Sequence, residues 1–156
     1  MKNQNGYELS QNYTPKKIKF RFTSVGKKGV IKKVIEFKRF KNNRWNLGFG
    51  DVKGSGWTDD VISDNDDLRK VLQTVANSMH LFFEMYPTHE VVFIPLENRR
   101  KSLYNRIFQQ KWHEIDSIFS IKAIILEATN PQFEHYNPTK IYDYFIIKLK
   151  NEAIEK

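Results

Sequence analysis

The side chains whose types and spacing suit chemistry are mostly cations. Lys17, Lys19 and Arg21 recur at every second residue, Lys27 and Lys28 sit between two glycines, and Lys32, Lys33, Lys38 and Arg39 follow closely. Residues 1–50 hold 13 Lys or Arg against Glu8 and Glu36, a net of +11, whereas residues 51–90 sum to −5 and residues 91–156 to +2. A one-sided block of this kind sets up a field that attracts polyanions or acidic proteins. Lys17, Lys19 and Arg21 alternate with Ile18, Phe20 and Phe22, the period of a half-buried strand, so the cations share its exposed face. The bland reading of that face is a solvated sheet whose lysines block edge-to-edge aggregation.

Gly26-Lys27-Lys28-Gly29 can offer amide N–H and ammonium groups to an anion. The glycine spacing, the missing Lys-Ser/Thr and the strand that follows exclude a P-loop, and a hairpin turn is the plainer reading. On a later helix Arg99, Arg100, Lys101 and Arg106 are spaced to extend a cationic patch. The aspartates Asp51, Asp59, Asp60, Asp64, Asp66 and Asp67 lack the glycine and terminal glutamate of an EF-hand. Ser63 with Asp66 resembles a capping box, so opposing a helix dipole is their expected role, with pairing to the basic block a second. His80, His89, His113 and His135 show no metal-ligand spacing. No metal and no cofactor is expected. Arg106 and His113 match the Arg-x4–6-His spacing of HEPN ribonucleases, a pattern short enough to arise by chance.

These side chains need elements to position them. Gly26–Gly29 and Asn42-Asn43 mark turns, which divide residues 17–49 into three antiparallel strands, and mixed alternation over Val30–Phe40 suggests a bulge. From Leu68 to Tyr86 apolar residues fall three and four apart, the stripe of an amphipathic helix, and Pro87 ends it. Val91–Leu96 reads as a buried strand, Asn98 as the cap of a second helix running towards Trp112, and Ile121–Glu127 and Tyr142–Leu149 as two final strands. The order is a basic antiparallel meander followed by β-α-β-α-β-β, an α+β (mixed α/β) fold. Residues 1–156 form one domain, with 1–16 and 150–156 read as loose ends.

That order resembles the core of GCN5-related acetyltransferases, and Asn98 with Leu103-Tyr104 echoes a motif of that family. The resemblance implies Tyr104 as a general acid. Asp64-Asn65-Asp66-Asp67 stand where the family's pyrophosphate-binding glycines would be, and their carboxylates would repel that group. A second resemblance covers nearly the whole chain. Phe22, Ser24, Gly26, Lys28-Gly29, Ile31, Lys33-Val34, Leu47-x-Phe49-Gly50-Asp51, Lys70-Val71-Leu72-x-Thr74-Val75, Tyr86-Pro87 and Arg100-x-x-Leu103-Tyr104 are similar to an uncharacterised family of small bacterial proteins, a domain of unknown function. Its members often carry a glycine where Asp66 stands. This resemblance implies a cytoplasmic bacterial protein and slightly favours a toxin–antitoxin or defence setting.

The absence of cysteine and of a hydrophobic N-terminal run fits a cytoplasmic location, and no stretch approaches the roughly 20 apolar residues that span a bilayer. The expected partner is nucleic acid, RNA more than DNA, or an acidic protein such as an antitoxin; no membrane is expected, and the oligomeric state is open. Lys17, Lys19, Arg21, Lys27, Lys28, Lys32 and Lys33 would supply the attraction, extended by Arg99, Arg100, Lys101 and Arg106. The alternative is an acetyltransferase-like enzyme, or a degenerate relative, acting through Tyr104.

Overall fold

The computed structural model describes residues 5–58, 65–95 and 98–150. Its first strands are β1 (Ser10–Thr14), β2 (Lys17–Gly26), β3 (Gly29–Lys41), β4 (Arg44–Lys53) and β5 (Gly56–Thr58). Helix α1 (Leu68–Met85) leads to β6 (Glu90–Phe93), then α2 (Asn98–Gln110) and α3 (Trp112–Asp116). Strands β7 (Phe119–Ile124), β8 (Glu134–His135) and β9 (Tyr144–Leu149) follow. The fold is α+β.

The strands form one mixed sheet in the order β1-β2-β3-β4-β6-β9-β7-β8. Alternation along β2 and β3 makes a long hairpin, in register from Lys17 opposite Lys38 to Gly26 opposite Gly29. The irregularity expected in the return strand is a register shift between Arg39 and Lys41. β4 and β6 are parallel, joined through α1, and pair only over Arg44–Asn46 and Glu90–Val92. Beyond Asn46 the strands part, and the same edge of β4 pairs with β5 at residues 51–53.

Ile18, Phe20, Phe22, Ile35, Phe37, Leu47, Phe49, Phe93, Phe145 and Ile147 line one face of the sheet and are buried. The stripe on α1 meets them: Phe82 stacks on Phe37 with ring centroids 4.7 Å apart and meets Trp45 edge-on at 5.3 Å. Phe108 of α2 packs on Phe145 at 4.5 Å, and Tyr104 meets Phe93 edge-on at 5.5 Å. A small apolar cavity of about 90 Å³ remains where Leu47 and Phe93 meet Met79, Tyr104 and Ile115. All three helices therefore cover the same face, and burying each large side chain there contributes about 1.5–3 kcal/mol.

Four elements depart from the expected order. β1 lies in a segment read as loose, yet Ser10–Thr14 are in register with Lys17–Arg21. Its sequence, SQNYT, has no apolar alternation; unpaired amides on β2 are what order it. β5 and β8 are short strands held by their neighbours. The second helix ends at Gln110, and α3 begins at Trp112 after a break at Lys111.

Candidate functional site

Alternation decides where the cations go. Ile18, Phe20 and Phe22 turn toward the helices, so Lys17, Lys19 and Arg21 emerge on the opposite face of the sheet. Cross-strand register carries the same parity outward. Lys38 stands opposite Lys17, Lys32 opposite Thr23, and Asn46 of β4 opposite Lys38. Across the parallel junction Asn46 meets Val92, Val92 meets Ile146, and Ile146 meets Lys122. Lys148 lies opposite Ser120 on this side as well. Lys17, Lys19, Arg21, Lys32, Lys38, Arg44, Lys122 and Lys148 thus occupy strand positions on one face, where no described helix packs.

The acids that those strands place on the same face are Glu36 and Glu90. Glu36 lies 3.7 Å from Lys19 and accepts from Trp57 Nε1 at 3.2 Å. Trp57 rests on Gly48, where an added Cβ would come within 2.7 Å of the indole ring. Glu90 pairs with Arg44 at 2.8 Å. Lys17 directly opposite Lys38 is a like-charge pair, which destabilises a sheet unless an anion lies nearby. Arg21 and Lys32 are diagonal neighbours in a groove of about 620 Å³ whose rim includes Glu8 and Ser10. A second concavity gathers Lys122, Lys148, Arg44 and Phe133.

Other expected binding residues lie elsewhere. Lys33 sits on the helix side of β3, 1% exposed, and its Nζ is 2.6 Å from Asp51 Oδ1. It is part of the core and not of the cationic face. Lys27 and Lys28 are exposed at the hairpin tip, but their amides do not await an anion: Lys27 N–H donates to Asn65 O at 3.1 Å and Lys28 N–H to Asn65 Oδ1 at 2.5 Å. Lys101 pairs with Asp143 at 2.6 Å, and Arg106 is exposed on α2. Both belong to the helix layer, so they do not extend the face across the sheet. The side chains of Arg99 and Arg100 lie outside the described residues. Arg106 and His113 are on separate helices, both exposed.

Tyr104 is 6% exposed and packed against Phe93, at the wall of the apolar cavity. Its neighbour Asn105, which the sequence did not single out, fixes α2 to Tyr142 in the segment leading into β9. Its amide donates to Tyr142 O at 2.9 Å and its Oδ1 accepts from Tyr142 N–H at 2.8 Å.

The start of α1 carries the densest polar packing. Asp67 is the N-cap residue but makes no side-chain cap, and no acid lies in the first turn. Its Oδ2 accepts instead from Ser24 Oγ and from the Tyr7 hydroxyl, each at 2.5 Å. Asn65, 1% exposed, donates to Ser24 Oγ and Gly29 O while it receives the hairpin amides. Gly26 lies so close that an added Cβ would fall 1.9 Å from Asn65 O. For Asp67, capping is thus replaced by pinning of the hairpin; Asp59, Asp60, Ser63 and Asp64 lie outside the described residues. Asp66 has φ 59°, the left-handed region that favours glycine.

Among the described residues no three His, Asp or Glu side chains gather as a metal site. No described helix is long and apolar enough to cross a membrane.

Fold and site together define an α+β protein whose sheet has one helix-covered face and one cationic face on which no described helix packs. The chain belongs to the family of unknown function DUF6934, whose profile matches residues 3–150. No curated protein and no solved structure matches it at a significant level.

Proposed function

We propose that this protein binds single-stranded nucleic acid, RNA more than DNA, on the open face of its sheet. The observation that carries the reading is the gathering of cations from both ends of the chain on that face, including Lys17 directly opposite Lys38. Phosphates neutralise such a row and release counterions, which makes affinity fall steeply with salt. Single strands suit the shape. The major groove of DNA admits a helix or a two-stranded ribbon and is about 12 Å wide, narrower than a sheet of this many strands. Open sheets read unstacked bases by stacking them on aromatic rings, and Trp57 and Phe133 supply rings beside the cations.

Fluorescence anisotropy of a labelled single-stranded RNA over a salt series tests this. The expected slope of log affinity against log salt is about −0.7 for each phosphate neutralised. Arg21→Glu with Lys32→Glu should weaken binding about tenfold or more and flatten the slope by about 0.7 for each phosphate no longer neutralised. No binding at low salt, or affinity unchanged by the reversals, rejects the reading. Tighter binding to an acidic protein than to RNA would assign the same face to that partner, as in a toxin–antitoxin pair.

The acetyltransferase-like reading draws its support from element order alone, with α1 joining two parallel strands that part beyond Asn46. The start of α1, where an anionic cofactor group would dock, is occupied by Tyr7 and Asp67. Acetyl-coenzyme A that raises the melting temperature would favour it; binding at 100 times the dissociation constant contributes about 2.7 kcal/mol.

A further inference from the structure

One edge of the sheet is open and uncharged. β1 pairs with β2 on one side and has no neighbour on the other among the described residues. All five of its residues are exposed, so the backbone amides and carbonyls of its outer edge face solvent. Such an edge is a template for another strand, and proteins usually blunt it with lysine, proline or brevity. The opposite edge follows that rule, because β8 is only Glu134–His135. β1 does not: Ser10-Gln11-Asn12-Tyr13-Thr14 has no charge and no proline, in a chain where 28% of residues are charged.

The charges stand just outside this strand, with opposite signs. Glu8 precedes it by two residues and Lys16 follows it by two, and both are exposed. The segment from Glu8 to Lys16 is therefore antisymmetric in charge about Asn12. We propose that a second copy of the chain pairs with this edge, antiparallel, with Asn12 opposite Asn12 on the two-fold axis. Ser10 of one copy then stands opposite Thr14 of the other, and Gln11 opposite Tyr13. Glu8 of each copy lies beside the Pro15–Lys16 turn of its mate, so two ion pairs close the ends. Parallel pairing in register would instead bring Glu8 to Glu8 and Lys16 to Lys16, which is unfavourable.

The interface is isologous, the arrangement that closes at two copies. Its two-fold axis runs perpendicular to the sheet, so both open faces point the same way. Lys17, Lys19 and Arg21, one strand in from the junction, then lie on the same side as their symmetry mates, across the two uncharged β1 strands. The dimer goes beyond the nucleic-acid reading and does not depend on it, since its contacts are backbone hydrogen bonds and its own ion pairs.

Sedimentation velocity of the full chain over a concentration series tests the proposal without nucleic acid. The expected result is a reversible monomer–dimer equilibrium that weakens as salt rises. Glu8→Lys or Lys16→Glu alone should weaken dimerisation about tenfold, by turning two ion pairs into two repulsions, and the double exchange should restore it. Asn12→Lys, which sets like charges on the axis, should leave a monomer. A chain that is monomeric at every concentration overturns the proposal. So does a dimer indifferent to Asn12→Lys and to the charge exchange.

Discussion

Lys32 and Lys33 are adjacent in the chain and opposite in role. Lys32 reaches solvent on the open face, whereas Lys33 is buried against Asp51 at 2.6 Å. A buried charge is tolerated only when paired, so breaking the pair should cost far more than replacing it. Lys33→Ala should lose about 3–5 kcal/mol in urea denaturation, because Asp51 is left buried without its cation. Lys33→Met with Asp51→Leu should stay close to the parent protein or exceed it; equal losses in both variants would refute this account. His80 supplies a second residue-scale test. Burial beside Phe119 lowers its pKa from 6.5 to about 4. The unfolded chain then takes up the proton first as pH falls, so this residue's contribution to stability is intact above pH 6.5 and is lost on descending towards 4. His80→Gln should flatten that limb of a melting-temperature profile, and an unchanged limb would assign it to carboxylates.

At the scale of elements, the β2–β3 hairpin is clamped to the start of α1 through Asn65. Its partners Ser24, Gly29 and Lys28 lie 36 to 41 residues away in sequence. Asn65→Ala removes the partner of the Lys28 amide and of the Gly29 carbonyl, and should cost about 3 kcal/mol. Hydrogen exchange should accelerate at Lys27 and Lys28 first; protection there equal to the parent's would show that the hairpin holds itself. The hairpin is readable from the alternation of Ile18, Phe20 and Phe22 and from the glycines at 26 and 29, because local sterics set both. The clamp is not readable, since an asparagine beside three aspartates looks like a helix start until the distant hairpin is folded onto it. β1 is hidden for a related reason: its five polar residues gain their order from β2.

At the scale of the molecule, the open face joins Lys17, Lys19 and Arg21 to Lys122 and Lys148, more than a hundred residues away in sequence. If the face acts as one surface, Lys122→Glu with Lys148→Glu should weaken RNA binding about as much as reversal of Arg21 and Lys32, roughly tenfold or more. Arg106→Glu, on the helix layer, should leave affinity nearly unchanged. Equal effects from both sites would mean diffuse attraction in place of a face.

The sequence by itself determined the period of each main element, the apolar faces and the excess of positive charge, because these follow from local sterics and hydrophobicity. It also held the resemblance that the family match bears out. It did not determine which lysines share a surface. Parity within one strand can be read from residue types, but parity across strands depends on register, and register is set only when the sheet closes. Closure sent Lys33 inward to Asp51, put Lys101 and Arg106 on the helix side, and brought Lys122 and Lys148 round to the face begun by Lys17. Burial of the apolar face against α1 and α2 enforces that outcome, since slipping any strand by one residue would carry its phenylalanines into water and its lysines into the core.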